Sequence, residues 1–434
     1  MAGSMSIAFG GIVAFFFRGV NLVVALGTVL FCTHQMTREH YGSFVLGLTI
    51  IGVVNAASGG LTAATAYQVA NQRRAPALAL FNGGVLSVSL GAVAVLTGLF
   101  ISSVLTGEAH RESLAIGAAC AAIISNSVVA GTFLGRDSLV RYNFALVCPP
   151  AFSLIAIAVA FLVNSGPNTP SLALEMYAVG QWLAVAVMVL TGGVLVRGSS
   201  VEPGIIKAVA RFAALAGIAS GISYLNYRAD VFVVKHFEGE SGVAVYSLAV
   251  YLAESVWQVS GSLALAAYAR LGSLSRPEAA HLTTRVMRHT VLLLGCICVV
   301  LFVIAGGLQD YLFGAEYDGM ASALRFLLPG VLLYGLAQSF SGFYTYQRGM
   351  PWVSSVVAGA GLVIDISLAF VLIPRMGVNG AALASAVAYS TAITAGLIVF
   401  ARSEHLSPSQ LFRFGKQDMQ DYRALITRLK ALHG

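Results

Sequence analysis

The chain has 434 residues, 58% of them hydrophobic and only 10% charged, with a formal net charge of +7. A soluble domain carries about 25% charged residues, so this composition, with a mean hydropathy of +0.83, excludes an ordinary soluble enzyme. The positive charge does not mark a nucleic-acid binder, because the basic residues sit in short connections and a tail rather than in a groove or an arm.

Apolar segments of about 20 residues, each long enough to cross a hydrocarbon core of roughly 30 Å, recur along the whole sequence. In chain order they predict twelve spans, at about residues 7–32, 42–68, 77–105, 113–135, 139–163, 171–197, 207–235, 241–270, 285–306, 320–348, 351–373 and 379–401. The opening MAGSMSIAFG has no cleavable-signal pattern and runs straight into the first span. Five Lys and Arg lie in the odd-to-even connections, against eighteen in the even-to-odd connections and the tail, with Arg18 and Arg228 left inside spans. The positive-inside rule then puts both termini on the cytoplasmic side. The expected fold is an all-α polytopic membrane protein.

A weak internal repeat divides it. Tyr41-Gly42-Ser43-Phe44, entering the second span, matches Ser241-Gly242-Val243-Ala244, entering the eighth; Ser58-Gly59 and Tyr67 match Ser260-Gly261 and Tyr268. Two pseudo-symmetric six-helix bundles around a central cavity are a common transporter plan. The bundles are expected at 1–200 and 207–401, joined by a cytoplasmic linker at 201–206 whose Gly, Ser and Pro neighbourhood suits a flexible connector. The tail, 402–434, has Met419, Tyr422, Ile426 and Leu429 at helical spacing among Arg423, Arg428 and Lys430. It reads as an amphipathic helix on the inner leaflet or as a solvated topology signal.

Polar residues inside the spans point to a site. Arg228, Asp230 and Glu254 lie in one otherwise apolar stretch, and a charge near the bilayer centre costs roughly 2.5–3.5 kcal/mol unless it faces a polar cavity or a partner. Helical spacing puts Arg18, Asn21, Thr28 and Cys32 on one face of the first span and Asn55, Ser58, Thr62 and Thr65 on one face of the second. Ser220, Ser223, Tyr227 and Asp230, flanked by Asn226 and Arg228, mark the seventh; Ser247, Tyr251, Glu254, Gln258 and Ser262 mark the eighth. These four helices are equivalent pairs in the two halves, so their stripes suit one cavity. The bland reading of the Ser and Thr residues is close helix packing and backbone bonding. Asp365 and Glu175 lie away from the four helices and read as structural pairing or edge exposure.

The residue types suggest a cargo. Guanidinium groups recognise phosphate through a planar fork, so Arg18 and Arg228 suit an anion. Tyr251 and Trp257 suit sugar faces, and Asn226 and Gln258 suit hydroxyls. The acids suit a coupling cation, with Asp230, Glu254 and Asp365 as candidates. No phosphate loop, HExxH or paired acidic motif appears, so no catalytic residue is expected. The five cysteines show no metal or redox spacing, and the cluster His34, Arg38, Glu39 and His40 reads as a solvated loop. No cofactor and no metal are expected.

Several motifs resemble bacterial polysaccharide flippases of the multidrug/oligosaccharidyl-lipid/polysaccharide exporter superfamily. They are Glu39-His40-Tyr41-Gly42; Arg228-Ala229-Asp230 followed by Val245-Tyr246-Ser247-Leu248-Ala249; Phe313-Gly314-Ala315-Glu316-Tyr317; Ala323-Leu324-Arg325-Phe326-Leu327-Leu328-Pro329-Gly330; and Leu372-Ile373-Pro374-Arg375-Met376-Gly377-Val378-Asn379-Gly380-Ala381-Ala382. The resemblance implies a non-enzymatic flippase in a bacterial cytoplasmic (inner) membrane. It would move undecaprenyl-diphosphate-linked oligosaccharide repeat units from inner to outer leaflet by alternating access, for cell-surface polysaccharide biosynthesis. It implies diphosphate contacts at Arg18 and Arg228, with Tyr251, Trp257 and Asn226 near the sugars. Partners under this reading are the lipid-linked oligosaccharide, membrane lipids, a coupling ion (H+ or Na+) and other polysaccharide-assembly membrane proteins, with no nucleic acid. The alternative is a cation-coupled drug or metabolite antiporter of the same superfamily. A glycan-processing membrane enzyme fits less well, because every outer loop is short.

Overall fold

The computed structural model describes residues 7–105, 110–193, 199–271, 274–350, 352–415 and 418. Every regular element among them is helical, as expected. The helices fall into two compact units, Met1–Arg228 and Ala229–Gly434.

In the first unit the helices are α1 (Ile7–Gln35), α2 (Arg38–Ala70), α3 (Pro76–Leu105), α4 (His110–Gly135), α5 (Leu139–Val163), α6 (Pro170–Thr191) and α7 (Pro203–Leu225). Their starts follow local chemistry. The Thr37 hydroxyl accepts from the His40 N–H at 3.3 Å ahead of α2, and Thr169 accepts from Leu172 ahead of α6. Proline opens α6 and α7, where its missing N–H is no loss. The α2 helix packs on α4 and α7, α4 on α3 and α6, and α5 on α6 and α1. Lipid tails give no hydrophobic drive for helix pairing, so small residues that let backbones approach carry these contacts. At the crossing of α2 and α7 a methyl group on Gly60 would overlap the Ala213 carbonyl, and one on Gly217 would overlap the Ala57 carbonyl.

The segment before α7 is held rather than loose. The fully buried Asn82 of α3 donates to the Ser200 carbonyl at 3.1 Å, and its Oδ1 accepts from the Glu202 N–H at 2.7 Å. The linker expected at 201–206 begins in this segment. One amide side chain satisfies two backbone groups of that segment. The α7 helix, assigned to the second bundle on sequence grounds, then packs along α2 and α3 within the first unit.

The second unit holds α8 (Ala229–Ser255), α9 (Trp257–Leu271), α10 (Arg276–Leu308), α11 (Met320–Tyr334), α12 (Ala337–Gly342), α13 (Trp352–Met376), α14 (Val378–Ser403) and α15 (Pro408–Phe412). The α8 helix is two limbs joined at Gly239, whose φ of 67° and ψ of −166° no helix accommodates. In a straight helix Asp230 and Tyr246 would be about 24 Å apart at 1.5 Å per residue, yet the Tyr246 hydroxyl donates to Asp230. The limbs therefore fold back on each other, as the short loop expected at 236–240 requires. Both limbs lie in the part of the unit where α8 packs on α11, α13 and α14.

Among the described residues eleven helices are long and apolar enough to cross a membrane, against twelve expected. The difference is the eighth span, 241–270: the helix breaks at Val256, whose N–H reaches only Ala253 O at 3.3 Å, so its two pieces belong to α8 and α9. Near the ends of α10 and α14, Arg276 grips Glu404 at 2.9 Å while Arg348 adds a contact at 3.2 Å, with the Glu404 side chain almost fully buried. The tail positions Met419, Tyr422, Ile426 and Leu429 lie outside the described residues.

Candidate functional site

The densest buried polar cluster that the sequence acids form lies in the second unit. Asp230 sits on the first limb of α8, Tyr246 on the second, Asp365 on α13 and Ser385 on α14, and none is more than 3% exposed. One oxygen of Asp230 accepts from its neighbour's N–H, Val231, at 2.8 Å. The other accepts from the Tyr246 phenol and lies 3.2 Å from Ser385 Oγ. Ser385 Oγ is also 3.1 Å from Asp365 Oδ1, 2.9 Å from the Tyr246 oxygen and 3.2 Å from the Ala381 carbonyl. A serine carries one proton, so it can donate to only one of these four oxygens at a time. Two buried carboxylates on different helices thus share one hydroxyl.

One helical turn beyond Ser385, Tyr389 packs against Tyr334 with ring centroids 4.8 Å apart, and Trp257 packs on both. The Trp257 N–H donates to the Val331 carbonyl at 2.9 Å. Trp257, expected beside sugars, is thus half-buried in an aromatic cluster of its own unit. Glu254 and Tyr251 are half-buried on the second limb of α8, and Gln258 is exposed at the start of α9.

In the first unit Arg18, Asn21 and Asn55 are all exposed. Arg18 forms no ion pair among the described residues and stands in a helix of mean hydropathy 1.9. Asn226 and Arg228 lie in the turn that ends α7. Asn226 is buried, and its Oδ1 has no hydrogen-bond partner among the described residues; half-buried Arg228 donates to the Tyr227 carbonyl at 3.1 Å. The rest of the second-span stripe serves packing. Ser127 of α4 donates to Ser58 at 2.8 Å, Thr62 donates to the Ser127 carbonyl at 3.1 Å, and Thr65 is fully buried.

Three outcomes differ from the sequence reading or extend it. Asp365 is not remote, since α13 and α8 pack together and bring it to Asp230. Glu175 pairs with Arg111 at 3.1 Å. Tyr246 and Ser385 complete the acid cluster without having been singled out as site residues. The signal for Tyr246 was its place across a hairpin from Asp230; Ser385 sits among alanines and has none. His40 bonds the Asn168 carbonyl at 3.1 Å, and no His, Cys, Asp or Glu grouping fit for a metal occurs among the described residues.

No protein-family model matches the chain, and no curated protein does either. Solved structures do. An inward-facing multidrug-resistance MATE transporter of the MOP superfamily matches with a TM-score of 0.74 at 16% identity, over 91% of this chain and 98% of that one. The chain shares the fold of that transporter. The lipid II flippase MurJ in an inward closed conformation matches with a TM-score of 0.69 at 12% identity, over 93% of this chain and 88% of that one. A MOP superfamily transporter from Pyrococcus furiosus, described as having a binding pocket of reversed polarity, matches at 0.62 and 16% identity over 91% and 94% of the two chains. This one fold is thus found in a multidrug-resistance transporter and in a lipid II flippase.

Proposed function

We propose that the protein is a cation-coupled transporter in which Asp230 and Asp365 bind the coupling ion, H+ or Na+. Its cargo is an undecaprenyl-diphosphate-linked oligosaccharide, moved from inner to outer leaflet of a bacterial cytoplasmic membrane by alternating access. The observation that carries the reading is the single Ser385 hydroxyl shared by two buried acids on three packed helices. Glu254, half-buried on the same helix as Asp230, is the remaining coupling candidate. Support for the cargo comes from Arg18, an exposed guanidinium within an apolar helix, and from Arg228 at the end of α7. Phosphate oxygens suit that chemistry better than an apolar cation does. Asn21, Asn55 and Asn226 supply amides for sugar hydroxyls.

The acid pair equally favours a second reading, export of a drug or metabolite in exchange for a cation. Reconstituted liposomes separate the two. Wild-type protein is expected to flip a lipid-diphosphate-linked sugar, with Arg18→Ala and Arg228→Ala each slowing it at least tenfold and Asp365→Asn removing its dependence on an imposed ion gradient. Gradient-driven efflux of small organic cations without any lipid flipping would replace the flippase with the antiporter.

A further inference from the structure

Outside the acid pair, a second polar site is built where the segment after α14 folds back on the first turns of α10. Arg288 and Asp418 form a bidentate ion pair, Nε to Oδ2 at 3.0 Å and Nη2 to Oδ1 at 3.1 Å. Arg288 is only 7% exposed and Asp418 fully buried. The remaining Arg288 nitrogen donates to the Gln410 carbonyl at 2.9 Å, and the Gly415 N–H donates to Asp418 at 2.7 Å. A buried ion pair is weak evidence for stability but fixes position well. This one holds Gln410 and Asp418 against α10. It leaves an open cavity of about 640 Å³ bounded by His281, Thr284, Arg288, Gln410 and Arg413.

The cavity stands at a defined depth. The apolar run of α10 begins at Val291, three residues beyond Arg288, or about 4.5 Å at 1.5 Å per residue. Arg288 is therefore level with lipid headgroups, on the side that the charge bias assigns to the cytoplasm. Phe412 and Phe414, on either side of Arg413, are 44% and 38% exposed. Aromatic rings around a guanidinium are the pattern of a segment lying in a membrane interface, rings in the acyl boundary and charge among the headgroups. With Asp418 neutralising Arg288, the Arg413 guanidinium and the His281 imidazole are the groups left to meet a ligand.

We infer that this cavity binds the phosphate of an anionic lipid headgroup, with Arg413 and His281 as its contacts and the Arg288–Asp418 pair as the clamp that positions them. The test is thermal unfolding of the full-length protein in neutral detergent, titrated with dioctanoyl phosphatidylglycerol, dioctanoyl phosphatidylcholine or inorganic phosphate. A ligand of the folded state raises the midpoint by mass action. A saturable rise with phosphatidylglycerol is expected in wild type, at concentrations about tenfold higher in Arg413→Ala and in His281→Ala, and unchanged in Arg375→Ala, which removes an exposed arginine at the end of α13. Asp418→Asn, which loosens the clamp and leaves both contacts in place, is expected to weaken the lipid effect as well. Equal response to phosphatidylcholine, or identical titrations in wild type and both contact variants, overturns the site. Inorganic phosphate giving the same Arg413-dependent rise at the same concentration overturns the lipid assignment in favour of free phosphate.

Discussion

Asp230 and Asp365 lie on helices far apart in the sequence and meet through one oxygen, Ser385 Oγ, 3.2 Å from the first and 3.1 Å from the second. The bridge ties three helices together, because Asp230 is on α8, Asp365 on α13 and Ser385 on α14.

Asn is nearly isosteric with Asp but carries no charge, so Asp230→Asn and Asp365→Asn keep the packing and remove the cation's partner. Each is expected to fold, to lose at least tenfold in gradient-driven transport, and to keep any downhill exchange that needs no ion. Transport in proteoliposomes with and without an imposed H+ or Na+ gradient checks this. Undiminished coupling in both variants would make the acids a structural pair.

Ser385→Ala removes the shared hydroxyl and leaves both acids. Hydrogen bonds to charged groups contribute roughly 1.5–3 kcal/mol, which is about a 10- to 150-fold loss of ion affinity. The expected signature is a higher ion concentration for half-maximal transport with the maximal rate largely retained. A drop in maximal rate at unchanged half-saturation would place Ser385 outside the ion site.

How much of this was written in the sequence depends on the range of the interaction. Spans of 20 apolar residues and the turn at Gly239 are local features, so the all-helical fold and the α8 hairpin were legible. The acids were visible because a carboxylate in apolar sequence stands out. Their pairing was not, because nothing in a single sequence says that α13 packs on α8; Asp365 looked remote for that reason alone. Ser385, in a run of alanines, looks the same whether it bonds its own helix or bridges two carboxylates. Asn82 failed to register for the same reason, since its partners Ser200 and Glu202 offer only backbone groups.

The contact between α2 and α7 leaves no room for a side chain at Gly60 or Gly217. Leucine at either position must push backbone against backbone, and overpacking of ordinary cores already costs roughly 1–3 kcal/mol. Gly60→Leu and Gly217→Leu are expected to lower the unfolding midpoint markedly, while Gly59→Leu, with open space beside it, leaves it near wild type. Equal midpoints for Gly59→Leu and Gly60→Leu in a thermal-shift series would show that α2 and α7 do not pack this closely.

Asn82→Ala removes the one side chain that holds both Ser200 and Glu202. Each lost hydrogen bond is worth roughly 0.5–1.5 kcal/mol, and the loss is local to the start of α7. Amide exchange at residues 199–206 is expected to rise at least tenfold while α4 keeps its protection. Unchanged exchange there would sink the idea that Asn82 fixes this segment.

The clamp between Arg288 and Asp418 has a pH signature. Burial alone would push the Asp418 carboxyl up, but the Gly415 N–H, the Arg288 guanidinium and the nearby His289 outweigh it and hold the carboxyl below its ordinary value. A carboxyl depressed in the folded state contributes stability that is fully present above its unfolded value, about 3.9, and that disappears as pH falls through the lower folded value. Residues 405–415 are therefore expected to stay docked from pH 7 to pH 5 and to loosen only below about pH 4. Asp418→Asn is expected to loosen them already at pH 7. Amide exchange of that segment, corrected for intrinsic rates at each pH, reads both effects. Loosening of the wild type between pH 7 and pH 5, with no effect of Asp418→Asn, would mean that some other group holds the tail.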